Sequence, residues 1–195
     1  DISFVSVNTD NEFNFYLFYQ KGDSLLKSEN PFTAREEELK GNIPKLTVTA
    51  DFDNDGLDEF AMFYKFRYKP NIYPPFVCSV IMIFKAQGNR ILPVGTWFSV
   101  IDTVLDFSLV DFSVADDYNM DGMQDIALFY NDRSSDEQSI LVLESSGYQF
   151  KEAKKYYSVN RDFFNFSTLK YVLPGRFNQN AKPDIAVFYN YYGEG

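Results

Sequence analysis

The chain has 195 residues, with 28 acidic and 18 basic side chains, no histidine and a formal charge of −10. That balance argues against a nucleic-acid backbone or an anionic membrane as partner and points towards cations. Lack of histidine removes the commonest general base, triad member and zinc ligand, and 18% aromatic residues favour strands over helices.

The first 44 residues contain one strand word, FYLFY at 15–19, followed by ENPFTAREEELKGN at 29–42. This second stretch predicts a helical turn or two, with Thr33 as cap, Glu36 completing a capping box and Gly41 as stop. From residue 45 the pattern becomes regular. LTVTADF (46–52), EFAMFY (59–64), VCSVIMIFK (77–85) and GTWFSVI (95–101) predict four strands. The run KFRYKPNIYPPF at 65–76, rich in proline and basic residues, predicts an enlarged hairpin loop. FSLVDFSVAD (107–116), DIALFY (125–130), SILVLES (139–145) and KYYSVN (155–160) repeat the set of four. Glycine turns AQGN (86–89) and SSGY (145–148) separate the third and fourth strands of each set. KYVLPGRF (170–177) and DIAVFYN (184–190) begin a further set.

One nine-residue loop joins the first two strands of every set. It reads DFDNDGLDE at 51–59, DYNMDGMQD at 117–125 and RFNQNAKPD at 176–184, and each copy leads into FAMFY, IALFY or IAVFY. A loop-plus-strand unit recurring at about 60 residues marks a stacked or circular array. The strand words are apolar at nearly every position, as a strand covered on both faces requires. The expected fold is therefore all-β, a segment of a β-propeller with three to four four-stranded blades. Its units span about 1–44, 45–105, 106–165 and 166–195, the last incomplete.

The loops have the chemistry of a calcium site. Ca²⁺ takes six to eight hard oxygens in a flexible shell, and a tight loop points positions 1, 3 and 5 inward while position 7 offers its carbonyl. The second unit supplies Asp51, Asp53, Asp55, the Leu57 carbonyl and Glu59; the third supplies Asp117, Asn119, Asp121, the Met123 carbonyl and Asp125. Gly56 and Gly122 take position 6, where the turn is sharpest. An EF-hand is excluded, because position 12 is Met62 or Leu128 rather than an acid. The competing reading is a metal-free Asp-Gly turn. In the fourth unit Arg176 replaces the first acid, so a metal-free loop with an Arg176–Asp184 pair is expected. In the first unit Ser6, Asn8, Asp10 and Asn14 align with ligand positions, and only Asp10 is acidic.

DFDNDGLDEFA and DYNMDGMQDIA resemble the calcium loops of FG-GAP/VCBS repeats, the blades of integrin-α-type β-propellers. Glu59 departs from the aspartate usual at that place. The resemblance implies two Ca²⁺ sites and a non-enzymatic module for protein or ligand binding, adhesion or scaffolding in a cell-surface or secreted assembly. Two alternatives stay open: a carbohydrate-binding propeller or accessory part of a calcium-dependent polysaccharide lyase, and a shell component of a bacterial toxin complex.

Catalytic chemistry has little foothold. Cys78, the only cysteine, lies in an apolar strand word without an activating partner, and no glycine-rich phosphate loop is present. Arg67, Tyr68 and Tyr73 form the one basic, aromatic cluster outside the repeat, and exposed residues of these types are favoured at contacts. The expected partner is a protein or a glycan. Neither nucleic acid nor membrane insertion is expected, and further blades of the same chain or a partner are needed to close the ring.

Overall fold

The computed structural model describes residues 2–7, 12–21, 24–27, 32–35, 46–68, 76–87, 90–132 and 135–190. They form an all-β molecule of consecutive antiparallel sheets. The first sheet contains β1 (Ile2–Val7), β2 (Glu12–Lys21), β3 (Ser24–Lys27) and β4 (Phe32–Arg35). β1 lines one edge of β2, while β3 and β4 share the other, β3 pairing at Phe18–Lys21 and β4 at Glu12–Phe15. The helical turn expected over 29–42 is corrected here: Phe32–Arg35 is a strand, with Thr33 opposite Asn14. The reason is tertiary, since a ladder beside the aromatic strand β2 satisfies this backbone without a capped helix. Residues 36–45, where Glu36 and Gly41 fall, lie outside the described residues.

The second sheet is a four-stranded meander of β5 (Leu46–Ala50), β6 (Glu59–Tyr68), β7 (Phe76–Gln87) and β8 (Arg90–Ile101). The third repeats it with β9 (Val110–Asp116), β10 (Asp125–Tyr130), β11 (Glu137–Leu143) and β12 (Lys154–Asn160). β13 (Leu169–Gly175) and β14 (Asp184–Tyr189) form the last sheet. β5 lies beside β9 and β9 beside β13, so the first strand of each meander faces its counterpart in the next, the arrangement of propeller blades.

One boundary differs from those expected. β6 continues through Lys65–Tyr68, where Phe66 stands opposite Cys78 and Tyr68 opposite Phe76, so the hairpin connection is shorter than 65–76. Alternating aromatic and polar residues keep the ladder running until the proline-rich stretch. SSGY turns the chain as expected, with the Ser146 N–H donating to the Gln149 carbonyl at 3.0 Å and that of Lys151 to Glu144 at 2.8 Å. Ser145 bridges Phe150, Gly147 takes φ +85°, and β12 begins only at Lys154.

The third and fourth sheets are each entered through a short 3-10 turn, Phe107–Leu109 and Phe166–Thr168. Asp106 and Asn165 cap these turns, accepting from the N–H of Ser108 (2.7 Å) and Ser167 (3.0 Å). The aromatic that follows each cap is driven into the core. Phe107 meets Phe63 at 5.1 Å between ring centroids, and Phe166 meets Phe129 at 5.1 Å. Their N–H groups donate to Ser79 Oγ and Gln138 Oε1, both at 2.9 Å. Between the second and third sheets the core holds Phe52, Phe63, Ile81, Ile83, Phe107, Ile126 and Leu128, all essentially buried. A second cluster of Phe129, Phe166, Leu169 and Val172 joins the third sheet to the fourth.

Candidate metal centre

The loops at 51–59 and 117–125 are built on one backbone frame, fixed by side chains that accept from the loop's own amides. Asp51 accepts from the N–H of Asp55 (3.0 Å) and Gly56 (2.8 Å), and Asp117 from Asp121 (3.0 Å) and Gly122 (2.9 Å). Asp53 and Asn119 each accept from position 5 at 3.2 and 2.8 Å. Asp55 and Asp121 accept from position 7, Leu57 and Met123, both at 3.0 Å. Gly56 and Gly122 have φ +86° and +92°, which strains any residue with a Cβ. Asn54 and Met120 at position 4 are also left-handed, at φ 58° and 62°.

Position 9 closes each loop from the start of the next strand. Glu59, 1% exposed, accepts from Phe52 N–H at 3.0 Å. Asp125, fully buried, accepts from the N–H of Ser145 (2.8 Å) and Asn119 (3.2 Å). The two loops also touch across the seam between sheets: Ser145 Oγ donates to the Phe52 carbonyl at 2.7 Å, and Gln124 N–H to that of Asp51 at 3.2 Å.

The electrostatics of the two loops diverge. Asp51, Asp53 and Glu59 each place a carboxylate oxygen within 4.8 Å of the others, the only such acidic group of three among the described residues. Into this cluster β7 delivers Lys85, the cross-strand partner of Glu59. Its ammonium lies 3.0 Å from Asp53 Oδ2 and 3.0 Å from Glu59 Oε1 and also contacts Asp55 Oδ2. Burial pulls the Lys85 pKa down, but the facing carboxylates of Asp55, Glu59 and Asp53 outweigh it and hold the group above its usual value. The hydrogen bond from Lys85 lowers Asp55, whereas burial raises Glu59 despite the same lysine. Glu59 lies deep and Asp55 at the rim, so desolvation decides the sign.

The third loop has no such partner among the described residues. One step beyond the Ile126–Leu143 pair, Glu144 takes the place that Lys85 has in the second sheet. Glu144 is itself paired with Lys154 at 2.6 Å and Lys151 at 3.6 Å. Asp117, Asp121 and Asp125 make no ion pair with any described Lys or Arg. Burial and then the charges of Asp121 and Asp117 push Asp125 up to about 6, although two backbone N–H groups oppose them. An uncompensated buried carboxylate beside two others is a donor set of the kind a hard cation satisfies.

The fourth loop keeps the frame with Asp184 as its one acid. Asn178 and Asn180 accept from positions 5 and 7 at 2.8 and 2.9 Å, and Ala181 supplies a left-handed position 6 at φ 63°. The expected Arg176–Asp184 pair is not formed. Arg176 Nε donates to the Ala181 carbonyl at 3.3 Å, while Asp184 accepts from Asn178 Nδ2 (2.6 Å) and the N–H of Phe177 (2.9 Å) and Asn178 (3.1 Å). Those local amide donors satisfy the carboxylate first.

In the first unit Ser6 and Asn14 are paired on β1 and β2, while Asn8 and Asp10 lie outside the described residues. Arg67 is exposed on β6, Tyr68 ends that strand, and Tyr73 lies outside the described residues. Lys85 and Ser145 were missed by sequence reasoning. A register count along the 59–68/76–85 hairpin would have found Lys85; nothing local marks Ser145. No family model, curated protein or solved structure matches this chain.

Proposed function

We propose that the chain is a non-enzymatic, calcium-stabilised β-propeller module that presents a surface for a protein or other ligand, as FG-GAP/VCBS blades do in secreted and cell-surface assemblies. The observation that carries this reading is the third loop. There Asp117, Asn119, Asp121 and Asp125 gather at the seam between two sheets, with Asp125 fully buried and without an ion pair among the described residues. A bound Ca²⁺ would supply charge for these oxygens and brace the β9–β10 loop against the second sheet. Trp97 is buried against Phe150 at 5.7 Å, so it is not a sugar platform and lends the glycan reading no support. Tyr171, Leu173 and Phe188 lie exposed on β13 and β14, on the side away from the third sheet. A further blade or a partner protein suits that apolar face.

The test is thermal melting in calcium and in chelator. A cation that binds only the folded state raises the midpoint by mass action, and Asp121→Ala removes that response. Identical midpoints in calcium and chelator would overturn the reading. A glycan array probed in calcium separates the sugar-binding alternative.

A further inference from the structure

We infer that Lys85 is the resident cation of the second loop, so that 51–59 is closed by an internal ammonium where 117–125 relies on a metal ion. This refines the calcium reading above and rests on it only for the third loop. The argument starts from register. Glu59 and Lys85 face each other across β6 and β7, and the lysine stem leads its head into the loop rather than out to solvent. There it meets Asp53, Asp55 and Glu59 together.

A buried carboxylate without a counter-charge is strongly destabilising. Glu59 is 1% exposed, and its Oε1 has no hydrogen-bond donor of good geometry, only the Lys85 ammonium 3.0 Å away. The ammonium therefore stands on the side of Glu59 from which a metal would be held. A divalent ion in the same loop would sit against Lys85 and be repelled unless the side chain swung away. The two units also differ in a correlated way. Glutamate at position 9 goes with lysine across the strand, and aspartate at position 9 goes with Glu144 at the corresponding place, which brings no positive charge to Asp125. The longer glutamate reaches the lysine head.

The experiment uses the whole chain and its Lys85→Met, Lys85→Arg and Asp121→Asn variants, titrated with calcium chloride by calorimetry and melted in chelator. The native chain should take one calcium ion, Asp121→Asn none, and Lys85→Met a second. In chelator, Lys85→Met should melt below the native chain, Lys85→Arg should stay near it, and Lys85→Met with Glu59→Gln should recover most of the loss. Should Lys85→Met alone fail to fold, that neutralised double variant still must fold, and its failure overturns the proposal. Two calcium ions in the native chain, or a chelator melt unchanged by Lys85→Met, also overturn it. If no variant takes calcium, the metal reading of the third loop falls, and the melting series by itself upholds or refutes the role of Lys85.

Discussion

Truncating Phe107 to alanine should remove a large part of this molecule's stability. The ring is 1% exposed and lies between Phe63, edge-on at 5.1 Å, and Phe98, stacked at 6.0 Å. Because sheets above and below hold the site, the cavity has little means to collapse. Phe→Ala at such sites costs about 3–5 kcal/mol, a sizeable share of the roughly 5–15 kcal/mol that holds a domain folded. At about 2–4 °C per kcal/mol for a chain of this size, the midpoint should fall by roughly 6–20 °C. Far-ultraviolet circular dichroism reads the sheets, and Trp97 fluorescence reads the same core cluster directly. Phe166→Ala, at the equivalent place against Phe129, should lose a comparable amount. Phe163→Ala is the control: that ring is 90% exposed and its loss should stay within about 0.5 kcal/mol. A drop for Phe107→Ala no larger than that of Phe163→Ala would refute the claim that the aromatic opening each 3-10 turn is a keystone between sheets.

Asp125 titrates near 6 in the folded state against 3.8 for an unperturbed aspartate, so without metal the native chain holds the extra proton between those pH values. Its contribution is therefore full below about 4 and is lost as pH rises through about 6, up to roughly 3 kcal/mol. In chelator, Asp125→Asn should flatten that part of the stability profile, and identical profiles for the two chains would refute the assignment. Lys65, 2.5 Å from Asp102 and 2.8 Å from Asp106, ties β6 to the segment entering the third sheet. Lys65→Met should cost about 1–2 kcal/mol by denaturant titration, with a smaller deficit in high salt. Cys78 is free and buried, so a thiol reagent should label it only as denaturant opens the second sheet; rapid labelling of the folded chain would contradict that placement.

The local features were legible because they are made locally. In each loop, amides two to five residues along bond back to Asp51, Asp53 and Asp55, or to Asp117, Asn119 and Asp121, so carboxylate spacing and glycine alone specify the turn. The apolar words that follow announced β6 and β10 for a similar reason, since a strand covered on both faces shows no alternation; the same word in β14 leaves Phe188 and Tyr189 exposed. Even the fourth loop, with only Asp184 left of its acids, keeps the shape, because asparagine oxygens accept the amides of positions 5 and 7.

What the sequence did not announce is whatever depends on partners distant along the chain. Lys85 reaches Asp55 across 30 residues, through a register in which a shift of one position would send its side chain to the opposite face. Asp184 turned to Asn178 rather than Arg176, because a neighbouring amide was already in reach. Phe32–Arg35 became a strand only because the edge of β2 was open to it. Sequence by itself determined the repeat, the strands and the loop frame, all set by backbone preferences within a few residues. Tertiary structure alone decided which charges meet, because that depends on how one strand is placed against the next.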